Sequence, residues 1–291
     1  MPEFSVITLT HNRLPWTQRC LPTWLAGGDA DWELIVVDNG SGDATPAWLE
    51  RQTAAAADRG VTLRLIRNAG NLGCSTARNQ GIEAARSPWL AFIDNDVALC
   101  SRYWLSRLRR TIEEHPGAAL AGPKLLYPVA PYAIQCAGAA ISPAGRVSFR
   151  GRGHPRDAAD FNRPEPVQCL ISACLLARRE AVVAAGGFDE IYNPVQFEDF
   201  DLCYRIRAAG ASALYQPAVT MYHFESTTTQ GTAALHNPAV VVRNGLTFKR
   251  RWRHMFELEN GPEPENRRWQ HVELPPPQSV APLPLDEEKH P

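Results

Sequence analysis

FSVITLTHNRLPWTQRCLPTWLAGGDADWELIVVD, residues 4–38, reads as strand, helix, strand. Phe4 to Thr10 is compact and β-branched, the polar turn after it breaks the strand, and Leu14 to Ala26 carries a helical apolar period. Trp32 to Val37 is a second buried strand that stops at Asp38-Asn39-Gly40-Ser41-Gly42-Asp43, a loop cluster, before Thr45-Pro46 opens a helix. The alternation continues through a strand at Val61 to Arg67, a helix at Gly73 to Ala85, a strand at Trp89 to Ile93 and an amphipathic helix at Tyr103 to Glu114. Such alternation implies right-handed crossovers and an α/β, doubly wound, mainly parallel, Rossmann-like sheet. Ligands of these sheets bind outside the carboxyl ends of the strands. Polar residues gather there: Thr10-His11-Asn12, Asp38, Asn68 and Asn71, then Asp94 and Asp96.

Beyond the first half, Tyr127 to Gln168 is rich in Gly, Pro and Arg and reads as irregular structure or a short meander. A strand at Val167 to Leu176, a helix at Arg179 to Ala185, a helix from about Asp199 to Ala209 ended by Gly210, and a short strand at Val219 to His223 complete the ordered elements.

The composition is that of an ordinary globular chain: 291 residues, 44% hydrophobic and 21% charged, with 31 acidic residues against 30 Lys and Arg. That balance leaves little electrostatic footprint for nucleic acid. No apolar run approaches the roughly 18 residues of a membrane span, and no leader precedes the first strand, so a cytoplasmic location is expected. Seven scattered cysteines without a Cys-x-x-Cys pair read as buried thiols. Residues 261–291 hold eight prolines and three basic against six acidic residues, net −3, and read as a disordered acidic tail after a folded region of residues 1–260. Between Ser226 and Phe256 no acidic residue occurs, while Arg243, Lys249, Arg250, Arg251 and Arg253 do. Arg250 to Arg253 with Trp252 could touch anionic lipid headgroups at the inner face of a membrane, or form a solvated helix face.

Asp94-Asn95-Asp96 at a strand end offers hard oxygen ligands for Mg²⁺ or Mn²⁺, or a turn that caps the next helix. Asp38 at a strand end can accept hydrogen bonds from a base or ribose, or shape a turn. Arg78, in Gly73-Cys74-Ser75-Thr76-Ala77-Arg78-Asn79-Gln80-Gly81, could meet a diphosphate with help from the helix end, or lie in solvent. Phe197-Glu198-Asp199-Phe200-Asp201 puts three carboxylates beside aromatic walls. Asp199 suits an N-cap and Asp201 a pair with Arg205, but a buried member of the set would serve as a general base. His223 closes a strand, and imidazole is a ligand for Mn²⁺-type ions.

Taken together, Val6 to Arg13, Ile35 to Ser41, Asn71 to Gly81 and Phe92 to Asp96 resemble the donor half, about residues 1–126, of family-2 inverting glycosyltransferases of the GT-A fold. Gly187 to Glu190, Glu198 to Leu202 and Tyr222-His223 resemble the acceptor half, an α/β extension over about residues 127–260, and the rhamnosyltransferase-like branch is among those it is similar to. The resemblance implies transfer of one sugar from a UDP- or dTDP-linked donor to a glycan or lipid-linked acceptor in cell-surface polysaccharide or glycoconjugate synthesis. Thr10, Asn12, Asp38, Asn71, Arg78 and Asp94 would bind the nucleotide sugar. Asp96 and His223 would hold Mn²⁺ or Mg²⁺, and Asp199, or else Glu198, would be the catalytic base. Leu9 and His11 stand where the family often has proline and tyrosine, and the Gln-x-x-Arg-Trp signature of processive members does not occur. Two rivals remain: an inactive binding module on the same fold, and a sugar-nucleotide nucleotidyltransferase, which should carry a glycine-rich basic loop after the first strand.

Overall fold

The computed structural model describes residues 1–224 and 238–262. β1 (Phe4–Thr10), α1 (Leu14–Leu25), β2 (Trp32–Asp38), α2 (Thr45–Ala57), β3 (Thr62–Arg67), α3 (Cys74–Ala84) and β4 (Trp89–Ile93) follow the sequence pattern closely. β5 (Val97–Leu99), α4 (Trp104–Glu113), β6 (Ala118–Leu126), β7 (Ile134–Cys136), β8 (Ala139–Ile141), β9 (Val147–Phe149), β10 (Glu165–Val167) and β11 (Cys174–Arg178) come next. The last elements are α5 (Arg179–Ala184), α6 (Glu198–Ala208), β12 (Ser212–His223) and α7 (Pro238–Glu259).

Eight strands run in the order β10-β12-β6-β11-β4-β1-β2-β3, with β5 added to β12, β7 to β6, and β8-β9 forming a separate hairpin. β1, β2, β3 and β4 are parallel neighbours, as are β6 and β12, whereas β11 runs antiparallel between β4 and β6. This is the expected α/β sheet, mixed but mostly parallel. Every residue of β2 and β6 is buried, as befits strands covered on both faces. Among the described residues no helix is long and apolar enough to cross a membrane.

Four expectations need correction. β6 was not foreseen, because AALAGPKLL lacks β-branched residues and carries Gly122-Pro123. Gly122 is there for close approach, since a Cβ on it would lie 2.7 Å from Leu170 Cδ2. The expected strand over Val167 to Leu176 is two strands separated by residues 168–173. β12 starts seven residues before Val219, its period hidden where the register shifts between Gln216 and Thr220. The basic segment belongs to α7, whose buried side is Asn244, Gly245, Phe248, Trp252 and Phe256, a stripe masked by its polar and small members. Trp252 donates to Asp201 at 2.8 Å and Arg251 pairs with Asp189 and Asp201, so these two face inward; Val242, Leu246, Arg243 and Arg250 line the outer side. Residues 263–291 of the proline-rich tail lie outside the described residues.

Candidate active site

The chain leaves β4 through Asp94-Asn95-Asp96 and turns into β5, which pairs antiparallel with the end of β12 so that His223 lies opposite Val97. Asn95 points away from its neighbours, donating to Thr17 Oγ1 at 2.9 Å and Thr10 Oγ1 at 3.4 Å. Asp94 and Asp96 are left on one side with His223, and a ligand atom from each of the three falls within 4.8 Å of the others. His223 Nε2 lies 3.5 Å from Asp96 Oδ1. Its Nδ1 lies 2.6 Å from Gln135 Oε1, while Gln135 Nε2 donates to the His223 carbonyl at 3.1 Å. An amide oxygen on Nδ1 puts the proton there and turns Nε2 toward Asp96, the orienting arrangement common behind ligating histidines. Two carboxylates and an imidazole are a suitable donor set for Mn²⁺ or Mg²⁺. The charge balance agrees: burial raises the Asp94 carboxyl above its ordinary value despite the Arg78 guanidinium beside it, with Asp96 adding repulsion. A divalent cation would relieve that repulsion.

The acceptor-half carboxylates meet this corner through two links. Arg78, buried on α3, donates to Asp94 Oδ1 at 3.0 Å and to Glu198 Oε1 at 2.8 Å, with its guanidinium over the Phe188 ring. The loop before β11 supplies the other link: the Asp94 amide donates to the Ala173 carbonyl at 3.0 Å, and the adjacent Ser172 amide donates to Asp199 Oδ2 at 3.1 Å. Asp199 Oδ1 also accepts from the Phe200 amide at 2.8 Å. Burial, followed by the charge of Glu198, pushes the Asp199 carboxyl up to about 7 against these amides. Asp199 is not the N-cap of α6; that position is Phe197, and no side chain caps the helix. Glu198 Oε2 is buried without a hydrogen-bond partner. Asp201 is fully buried and structural, bonded to Tyr192, Arg205, Arg251 and Trp252.

The other expected residues line the neighbouring strand ends. Thr10 and Asp38 are register partners at the ends of β1 and β2, and Asp38 Oδ1 accepts from the Ser41 amide at 3.1 Å. Asn12 ties the two loops together, its amide donating to Ser41 Oγ and its Oδ1 accepting from the Gly42 amide. Asn71, on the exposed rim, accepts from Asn39 Nδ2 and the Gly73 amide. The first amides of α3 do not face an anion: Cys74 N donates to the Pro194 carbonyl and Ser75 N to Asn193 Oδ1. The element brings the charge of Arg78 to the crevice, not a free helix end. Sequence reasoning missed Gln135 and Ser172; the only signal was a polar residue between Ile134 and Cys136 in one case and a serine before an apolar strand in the other.

The sheet order and strand-end crevice are those of the GT-A fold. The structure is similar to the mannosyltransferase PcManGT from Pyrobaculum calidifontis in complex with GDP-Man and Mn²⁺, with TM-score 0.63 at 17% identity over 89% of this chain and 69% of that one. It is also similar to GalNAc-T7 with UDP, GalNAc and Mn²⁺, with TM-score 0.60 at 17% identity over 76% and 42% of the two chains. The sequence profile of glycosyl transferase family 2 matches residues 5–184. The chain belongs to that family. An N-acetylglucosaminyl-diphospho-decaprenol L-rhamnosyltransferase of Mycobacterium tuberculosis is 29% identical over 252 residues, 79% of each protein. The uncharacterized protein y4gI of Sinorhizobium fredii is 32% identical over 231 residues, 77% of this chain, which spans only 24% of that protein.

Proposed function

We propose that the chain is a metal-dependent, inverting glycosyltransferase that moves one sugar from a UDP- or dTDP-linked donor to a hydroxyl of a glycan or lipid-linked acceptor, in cell-surface polysaccharide or glycoconjugate synthesis. The observation that carries this reading is the meeting of Asp94, Asp96 and His223 with Asp199 across the adjacent residues Ser172 and Ala173.

In this reading Thr10, Asn12, Asp38 and Asn71 line the nucleotide side, and Asp94 takes the ribose. Asp96 and His223 would hold Mn²⁺ or Mg²⁺, whose Lewis acidity would offset charge on the departing diphosphate. Arg78 lies between Asp94 and Glu198 and keeps the donor-side and acceptor-side carboxylates in register. Glu198 is committed to that ion pair through Oε1, and its Oε2 is buried beside it. Asp199 then has the role of base: its carboxylate takes the acceptor hydroxyl proton at Oδ1 or Oδ2 as the acceptor oxygen bonds to the anomeric carbon and the nucleoside diphosphate leaves from the opposite face. One displacement inverts the anomeric centre.

The name of the mycobacterial relative suggests an N-acetylglucosaminyl-diphospho-prenol as acceptor probe. Proton NMR of the product made on a short-chain analogue should show the anomeric configuration opposite to that of the donor; retained configuration contradicts a single displacement with Asp199 as base.

A further inference from the structure

Glu198 and Asp199 follow a loop that its own residues do not explain. Gln196 and Phe197, neither of them glycine, have φ values of 82° and 75° in succession, immediately before α6. Side chains rarely occupy this left-handed region, and such a conformation persists only where the surroundings over-determine it. The first turn of α3 holds Asn193 and Pro194, and the carbonyls nearest the strained pair are held by α7, which lies beyond the family match at residues 5–184.

Asn244 of α7 is 1% exposed and inserts its amide under the loop. Its Nδ2 donates to the carbonyls of Tyr192 at 2.6 Å, Val195 at 2.9 Å and Gln196 at 3.2 Å. Its Oδ1 accepts from Arg243 Nε at 3.0 Å, and Arg243 Nη2 reaches the Asn193 carbonyl at 2.6 Å. Four carbonyls of residues 192–196 are thus held by two consecutive side chains of α7. The next residue, Gly245, admits the Phe197 ring, since a Cβ there would lie 3.2 Å from it. About two turns further on, Arg251 and Trp252 fix α7 to Asp201 of α6 at 2.9 and 2.8 Å. The helix is therefore anchored on α6 and can impose a conformation on the loop that leads into it.

We infer that Asn244 is a positioning residue for sugar transfer: it holds residues 192–197 in their strained path and so sets where Glu198 and Asp199 stand against the donor-side carboxylates. The inference rests on the glycosyltransferase reading above. It separates two functions that plain loss of folding would merge. Donor binding depends on Thr10, Asn12, Asp38, Asn71 and Asp94, with none of which Asn244 forms a hydrogen bond, whereas transfer depends on the placement of Asp199.

The test compares the unsubstituted chain with Asn244→Ala, Asn244→Ser and the double variant Asn244→Ala/Gln196→Gly. Each is assayed for transfer to the short-chain N-acetylglucosaminyl-diphospho-prenol and for binding of UDP and dTDP with Mn²⁺ by calorimetry. Displacement of a base by about 1 Å costs on the order of 10²-fold, so Asn244→Ala should lose about that much kcat with nucleotide affinity unchanged. Asn244→Ser, which keeps one donor, should lose less. Glycine at the exposed position 196 adopts the left-handed φ without strain and should recover part of the loss in the double variant. Equal falls in nucleotide affinity and transfer, an Asn244→Ala variant as active as the unsubstituted chain, or no recovery with glycine at 196 would overturn the inference. No transfer by the unsubstituted chain with any donor would instead refute the reading beneath it.

Discussion

Asp199→Asn should lower turnover by about 10²- to 10⁴-fold, the range a positioned general base supplies, while nucleoside diphosphate affinity stays unchanged. The substitution keeps an oxygen for one of the two amides, Phe200 or Ser172, so it removes the proton acceptor and one of the two hydrogen bonds that hold it. The pH dependence gives the claim a sharper form. A base works deprotonated, and burial together with Glu198 has pushed the Asp199 carboxyl up to about 7. The rate of the unsubstituted chain should therefore climb about tenfold per pH unit from pH 5 toward pH 7 and then level. A carboxylate at its ordinary value, near 4, would already give a flat profile over that range. Glu198→Gln is the control: Glu198 is bound to Arg78 and its charge helps raise Asp199, so its loss should reduce the rate and move the ascending limb to lower pH without removing it. An Asp199→Asn variant with full turnover, or an ascending limb that survives in it and vanishes in Glu198→Gln, would transfer the role to Glu198.

The second large effect belongs to the other end of the crevice. Asp96→Ala removes a carboxylate that faces His223 Nε2 at 3.5 Å, and with it one of three donors gathered within 4.8 Å. Metal-assisted charge stabilisation contributes several kcal/mol, so transfer should fall by about 10³-fold or more, and binding of UDP or dTDP should no longer respond to Mn²⁺. Gln135→Leu offers a graded comparison. It leaves Asp96 and His223 in place but removes the amide that fixes the His223 ring, and losses of about 10- to 100-fold in metal affinity are usual for such orienting partners. Calorimetric titration of nucleotide with and without Mn²⁺ reads both variants. Unchanged metal dependence in Asp96→Ala would remove Asp96 and His223 from the role given them.

How much of this was legible beforehand depended on whether a residue's neighbours in sequence were also its neighbours in space. Asp38, Asp94 and Asp96 stand at the ends of apolar strands, and a strand end in a parallel sheet has a known place, so their position at the crevice could be read from short motifs. Glu198 and Asp199 stood out as surplus charge beside aromatic residues at a helix start. The residues that hold these groups in place gave no such signal. Gln135 sits in a three-residue strand too short to show a period, and Ser172 lies in a segment that reads as continuous strand until its amide is seen to turn to Asp199. Asn244 sits on the buried side of a helix, where a polar residue weakens the apolar period that would have revealed the helix. Arg78 was legible as a charge near the site, but its placement between Asp94 and Glu198 required a contact spanning 120 residues.

In the proposed reading, the crevice between Asp94, Asp96 and His223 on one side and Asp199 on the other cleaves a nucleoside diphosphate sugar. This is tested most directly by incubating the chain with UDP-glucose, UDP-N-acetylglucosamine, dTDP-rhamnose and GDP-mannose, each with the acceptor analogue and with either Mn²⁺ or EDTA, and measuring free nucleoside diphosphate. Release is expected from a UDP- or dTDP-linked donor, in Mn²⁺ and not in EDTA. No release from any of the four donors, or release that is the same in EDTA, would contradict it.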